Sequence, residues 1–142
     1  PLIADHEKDP SKIQRLSHTG THPVSTDLTI LNSIEYINWI GVKRKEDRLR
    51  YLKSYWQKAL KDEPNIIINT PFEPMRSCGI GNVGVKNMKP EILAERLYKE
   101  FNIFTVAIDY ANVKGCRITP NVFTNTEELD IFIRAMKALA SN

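Results

Sequence analysis

A chain of 142 residues with 42% hydrophobic and 26% charged side chains has the makeup of one ordinary domain able to bury its own core. Its net charge of +3 is small, and the densest basic run, 43–53, is broken by Glu46 and Asp47, as in a solvated helix face, so nucleic acid is not an expected partner. With only Cys78 and Cys116, no CxxC pair and no His/Cys cluster at ligand spacing, neither a disulfide framework nor a zinc site is expected. No stretch approaches the roughly 20 apolar residues of a membrane span, and the start lacks a signal-peptide pattern. These features point to a cytoplasmic protein with no membrane partner.

Residues 1–23 show neither helical nor strand periodicity. Within them the segment 17–23 (SHTGTHP) puts hydroxyl and backbone N–H donors beside Gly20, just ahead of a helix start, an arrangement suited to an anion such as phosphate. His18 and His22 are spaced i, i+4, but Gly20 and Pro23 disfavour a helix there and with it a metal pair. From Ser25 the pattern becomes regular. Ser25, Thr26 and Asp27 are good N-cap residues, Ile30, Leu31, Ile34 and Ile37 recur at helical spacing, and Gly41 ends the helix. A second amphipathic helix is predicted from about Glu46, with Leu49, Leu52, Trp56, Ala59 and Leu60 on one face, until Pro64 stops it. The two helices are expected to cover one side of a sheet.

The run 65–70 (NIIINT) is a β-branched segment between prolines, and 79–86 (GIGNVGVK) reads as a second strand after an irregular linker. The glycines of the second strand suggest either close approach of another backbone or a weak strand. Its G-x-G-x-x-G spacing lacks the strand before and helix after that a dinucleotide fingerprint needs. Pro90 opens a third helix with Leu93, Leu97 and Phe101 inward, followed by a strand at 103–108 and a short one at 116–119. Thr124 and Glu127 resemble a capping box for a last helix carrying Leu129, Phe132, Ile133, Met136 and Leu139. The expected fold is therefore α+β, a two-layer sandwich in which a small mixed or antiparallel sheet of about four strands is covered by helices.

Arg117 is the most informative single residue. Strand alternation sets Cys116 and Ile118 on one face and Arg117 with Thr119 on the other, just before Pro120. A guanidinium held on a rigid strand can grip a carboxylate through two parallel hydrogen bonds, as lysine cannot. The plainer alternative is a surface arginine paired with Glu127 or Asp109. Asp109 and Tyr110, at the end of a strand, could face a site or simply make a turn.

Two stretches resemble the class V aminotransferase family of pyridoxal-phosphate enzymes, which includes isopenicillin N epimerase-like proteins, cysteine desulfurases and kynureninase. The stretch 15–41 (RLSHTGTHPVSTDLTILNSIEYINWIG) is similar to the family's G-T motif and the long helix after it. The stretch 102–130 (NIFTVAIDYANVKGCRITPNVFTNTEELD) is similar to its closing strand, loop, R-[IV]-[ST]-P, acidic pair and final helix. The resemblance implies the small C-terminal domain of the aspartate-aminotransferase-like fold. Residues 1–24 would lead out of a large domain and 25–142 would form the small one.

In that reading Arg117 binds the substrate α-carboxylate, and Gly20, Thr21 and His22 contact the phosphate of pyridoxal 5'-phosphate. No catalytic residue lies in this chain, which alone would be inactive for want of the cofactor lysine. The partners implied are an N-terminal large domain, a second copy in a homodimer and an amino-acid substrate. The closing TPNVFTNTEELD resembles the isopenicillin N epimerase-like branch, whose reactions span transamination, epimerisation and elimination. The segment 109–115 (DYANVKG) reads as a short loop without the cysteine that desulfurases carry between their last two strands, which disfavours desulfuration, and Cys78 and Cys116 read as structural. The competing reading is a non-catalytic α+β module that binds a ligand or a protein along 79–84.

Overall fold

A computed structural model describes residues 24–141. The described residues fall into two compact units, divided between Gly41 and Val42. In the first, helix α1 (Val24–Ile40) ends at Gly41, whose φ of 90° suits glycine and whose N–H donates to Ile37 O at 2.9 Å. The second unit holds α2 (Val42–Leu60), β1 (Ile66–Ile68), β2 (Gly81–Val85), α3 (Pro90–Phe101), β3 (Val106–Tyr110), β4 (Val113–Ile118) and α4 (Thr126–Ala140).

The four strands pair in the order β1-β2-β4-β3, every neighbour antiparallel, so the sheet is antiparallel and not mixed. Its register puts Val83 opposite Cys116 and Gly81 opposite Ile118. Alternation therefore turns Val83, Val85, Cys116 and Ile118 to one face, where they join Leu52, Trp56 and Leu60 of α2, Leu93 and Leu97 of α3, and Leu129, Phe132, Met136 and Leu139 of α4 in one core. Trp56 is fully buried and meets Phe132 edge to face, ring centroids 5.8 Å apart, a favoured aromatic geometry. The opposite face is open, with Ile67 and Arg117 exposed.

Glycine controls two approaches. A Cβ on Gly81 would stand 2.4 Å from the Trp56 ring, and one on Gly84 would stand 2.5 Å from the backbone oxygen of Lys114. The thin clothing of β2 thus lets α2 settle on one side of it and lets the β4 backbone close in at the other end.

Several boundaries differ from the predicted ones for local reasons. Helix α2 begins at Val42, since nothing between 42 and 46 opposes helix. The strand expected at 103–108 starts at Val106, because α3 ends on Asn102 in the left-handed region, φ 59°, and the Ile103 N–H donates to Leu97 O at 3.0 Å. The predicted loop 109–115 is instead the tip of a hairpin: Tyr110 pairs with Val113, and Ala111 takes the positive φ of 50° that the tight turn demands.

The capping box of α4 sits one residue later than predicted. The Asn125 side chain accepts from Glu128 N at 2.8 Å, and Glu128 accepts from Asn125 N at 2.9 Å. Thr124 closes the preceding turn, its hydroxyl accepting from Asn121 N at 3.0 Å. Ala59, expected inward, is exposed, and so are Ile30, Leu31 and Ile34 of α1. Cys116 is buried as expected, whereas Cys78 is exposed and so is not a core residue. No described helix is long and apolar enough to cross a membrane.

Candidate functional site

Arg117 lies on an inner strand, flanked by Asn82 of β2 and Val106 of β3 in the register. Its neighbours in sequence, Cys116 and Ile118, anchor the strand in the core, so its Cα is held by covalent and ladder geometry rather than by a loop. Arg117 is exposed, and neither of its anticipated partners holds it. Asp109 pairs with Lys114 across the hairpin at 3.5 Å, and Arg117 makes no ion pair with Glu127 or any other acid among the described residues. Arg117 instead lines a cleft of about 460 Å³ between the start of β3, the end of β4 and the first turns of α4. Asp109 and Tyr110 are not part of that cleft and serve the hairpin.

Beside Arg117, the open face carries a polar ladder that sequence reasoning missed. Asn82, 9% exposed, accepts from Asn69 Nδ2 at 2.7 Å, and the same nitrogen donates to Lys114 O at 2.9 Å. Asn82 N donates to Thr70 Oγ1 at 2.8 Å. The ladder runs from the end of β1 across β2 to β4 and stiffens the sheet under Arg117. Two asparagines 13 residues apart leave no pattern in sequence; only the register joins them.

The basic run 43–53 is not merely a solvated face. Arg48 donates to Thr124 O at 2.8 Å, and Arg50 to Pro74 O at 2.8 Å and to Ser77 O. Lys53, 2% exposed, donates to the Ser77 hydroxyl and to Pro71 O, while Gln57 Nε2 reaches Thr70 O at 3.0 Å. Burial, and then the Arg50 charge, lower the Lys53 pKa below its ordinary value. The available signal was the i, i+4 step from Lys53 to Gln57 alongside Leu52 and Trp56, which extends the buried stripe.

A Schiff-base lysine needs a desolvated environment and an amine free to react. Lys53 has the burial, but its Nζ is spent on the 71–77 segment and does not line the Arg117 cleft. Arg117 is thus an arginine fit for a carboxylate, and the described residues that line its cleft include no lysine. The phosphate contacts read from sequence, Gly20, Thr21 and His22, lie outside the described residues, as does His18. The Cys116 thiol is pushed up chiefly by burial, which suits a packing role and not a nucleophile. Its Sγ lies 3.6 Å from Pro90 O. Gly81 to Val85 is a strand interior, not the strand-to-helix turn of a dinucleotide site. No cluster of His, Cys, Asp or Glu able to hold a metal occurs among the described residues.

No protein-family model matches the sequence, and comparison with curated proteins finds no match. Solved structures do match. A cysteine desulfurase from Thermococcus onnurineus NA1 superimposes with a TM-score of 0.74 at 20% identity, over 89% of this chain and 34% of its own. A cysteine desulfurase from Escherichia coli gives 0.70 at 15% identity, over 86% and 32%. An alanine–glyoxylate aminotransferase from Nostoc sp. gives 0.62 at 20% identity, over 90% and 34%. The chain has the fold of one part of these proteins and spans about a third of their length.

Proposed function

We propose that this chain is the C-terminal part of a pyridoxal-phosphate enzyme of the class V aminotransferase type, and that Arg117 binds the α-carboxylate of its amino-acid substrate. The observation that carries this reading is Arg117 itself: a guanidinium on an inner strand of a fold shared with such enzymes, at the wall of a cleft and unpaired among the described residues. A rigid mount preorganises its two-pronged hydrogen bonding. The cofactor, when bound, supplies the electron sink for chemistry at the substrate α-carbon, and the protein's share is orientation and exclusion of water. The lysine that would hold the cofactor belongs to a large domain outside this sequence, so the chain alone is inactive. Gly20, Thr21 and His22 would reach the cofactor phosphate, in a homodimer that of the partner, and the assembled enzyme would be cytoplasmic.

Within the family, the closing segment 119–130 favours the isopenicillin N epimerase-like branch. Desulfuration is disfavoured in this reading, since the hairpin between β3 and β4 turns on Ala111 and Asn112 with no cysteine and Cys116 is buried.

The test is the intact mass of the complete gene product and its visible spectrum with pyridoxal phosphate. The expected result is a protein several hundred residues long whose cofactor band responds to amino acids, with that response crippled by Arg117→Lys. A gene product no longer than this chain, with no such band, would overturn the reading in favour of a ligand- or protein-binding module.

A further inference from the structure

We infer that the cleft beside Arg117 selects amino acids with one carboxylate and an apolar side chain; the inference rests on the reading of Arg117 as the carboxylate site. At about 460 Å³ the cleft is larger than a carboxylate requires and falls within the range of small-molecule sites. Beyond Arg117 its walls include Ile103, Phe104, Val106, Ile118, Leu129 and Phe132. Ile118, Leu129 and Phe132 are core residues, exposed by only 7%, 4% and 4%, so this wall cannot retreat without disturbing the fold. Phe104, by contrast, is 81% exposed, an aromatic ring left in solvent at a cleft that a bound apolar group would cover.

The polar groups divide unevenly. Arg117 supplies the positive charge, and Val106, its partner across the strand pair, lines the same cleft, so apolar wall stands beside the arginine's strand position. The acidic group in the cleft is Glu128, whose carboxylate is fixed by the Asn125 N–H at 2.9 Å. Held there, it repels a second carboxylate on the ligand and so disfavours acidic side chains, a rejection as useful to specificity as the apolar attraction. One arginine, one fixed carboxylate and an apolar wall interrupted by Thr105, Thr119 and Thr124 describe a branched aliphatic or aromatic monocarboxylate.

The experiment uses the 142-residue chain, titrated by backbone-amide NMR with acetate, 4-methylpentanoate, its primary amide and the six-carbon diacid adipate. Burying the four additional carbons, each contributing roughly threefold to fourfold at best, is expected to make 4-methylpentanoate bind at least about tenfold tighter than acetate. The shifts should fall on Val106, Arg117 and Leu129, and adipate should bind no tighter than acetate. Phe104→Ser, an exposed change that leaves the core alone, should cut the advantage of 4-methylpentanoate to less than about half. Equal binding of acetate and 4-methylpentanoate, both lost in Arg117→Gln, overturns the apolar selection and leaves the carboxylate role standing. Binding of the amide as tightly as the acid, or no shift from any ligand in a folded chain, overturns the carboxylate role and the selection with it.

Discussion

Helices α1 and α2 follow one another in sequence and reverse the usual expectation of which is buried. Helix α1 (VSTDLTILNSIEYINWI) is the more apolar, yet Leu28, Ile30, Leu31, Ile34, Tyr36 and Trp39 are exposed, Trp39 by 82%. Helix α2 (VKRKEDRLRYLKSYWQKAL) is crowded with lysine and arginine, yet Leu52, Trp56 and Leu60 are fully buried and take Lys53 and Gln57 inward with them. Segregation of the apolar residues, not their number, is what builds a core: in α2 they fall every fourth residue on one stripe, whereas in α1 they encircle the axis. The Lys53 amine and the Gln57 amide nitrogen find partners there in the carbonyls of Thr70 and Pro71 and the Ser77 hydroxyl.

The sharpest way to break this contrast is to cut the α2 stripe. Trp56→Ala should cost about 3–5 kcal/mol of stability in urea denaturation, since the ring is enclosed by the sheet and Phe132. Next, Gly81→Ala should cost about 1–3 kcal/mol, because the new methyl meets the Trp56 ring in a packed interior; a neutral result would mean that α2 does not seat on β2 as described. Loss of the α4 cap in Asn125→Ala should cost about 1 kcal/mol, read in the same assay.

Lys53 offers a pH test. Its pKa is lowered in the folded state from the ordinary 10.5, so between the two values the unfolded chain binds more protons than the folded one. Stability contributed at this site therefore rises as pH climbs toward 10.5 and is at its poorest below the folded pKa. Relative to Lys53→Met, the parent chain should gain stability as pH climbs toward 10.5; a pH-independent difference would mean that the amine is well solvated. The smallest effect belongs to α1, where Leu31→Ala should change the unfolding midpoint by less than the equivalent of about 0.5 kcal/mol. A large loss there would show that the exposed apolar helix has a stabilising partner in solution.

Much of the scaffold was legible in the residues. Pro90, the inward leucines of α3 and α4, and the β-branched run of β1 announce themselves by local rules, and the alternation around Arg117 is a property of any strand. The boundaries that shifted did so where a backbone group found a partner outside its own element: Ile103 closing α3, Asn125 rather than Thr124 capping α4, Tyr110 and Val113 pairing across a turn where a loop was expected. At the candidate site Arg117 was visible from sequence, whereas Asn82, Asn69, Phe104 and Glu128 were not, because each acquires its role from a strand register or a helix end that brings distant positions together.

What the sequence determined by itself is the periodicity of each element, the α+β class that their order implies, and the face on which Arg117 stands, since all three follow from bond geometry within a few residues. The tertiary structure alone decided that the charged helix enters the core, that Gly81 of β2 makes room for its Trp56, and that Gly84 lets the β4 backbone approach. It also gathered an arginine, an aromatic ring and a fixed carboxylate around one cleft. Those outcomes depend on contacts between residues far apart in the chain, where volume, register and desolvation act and no local pattern records them.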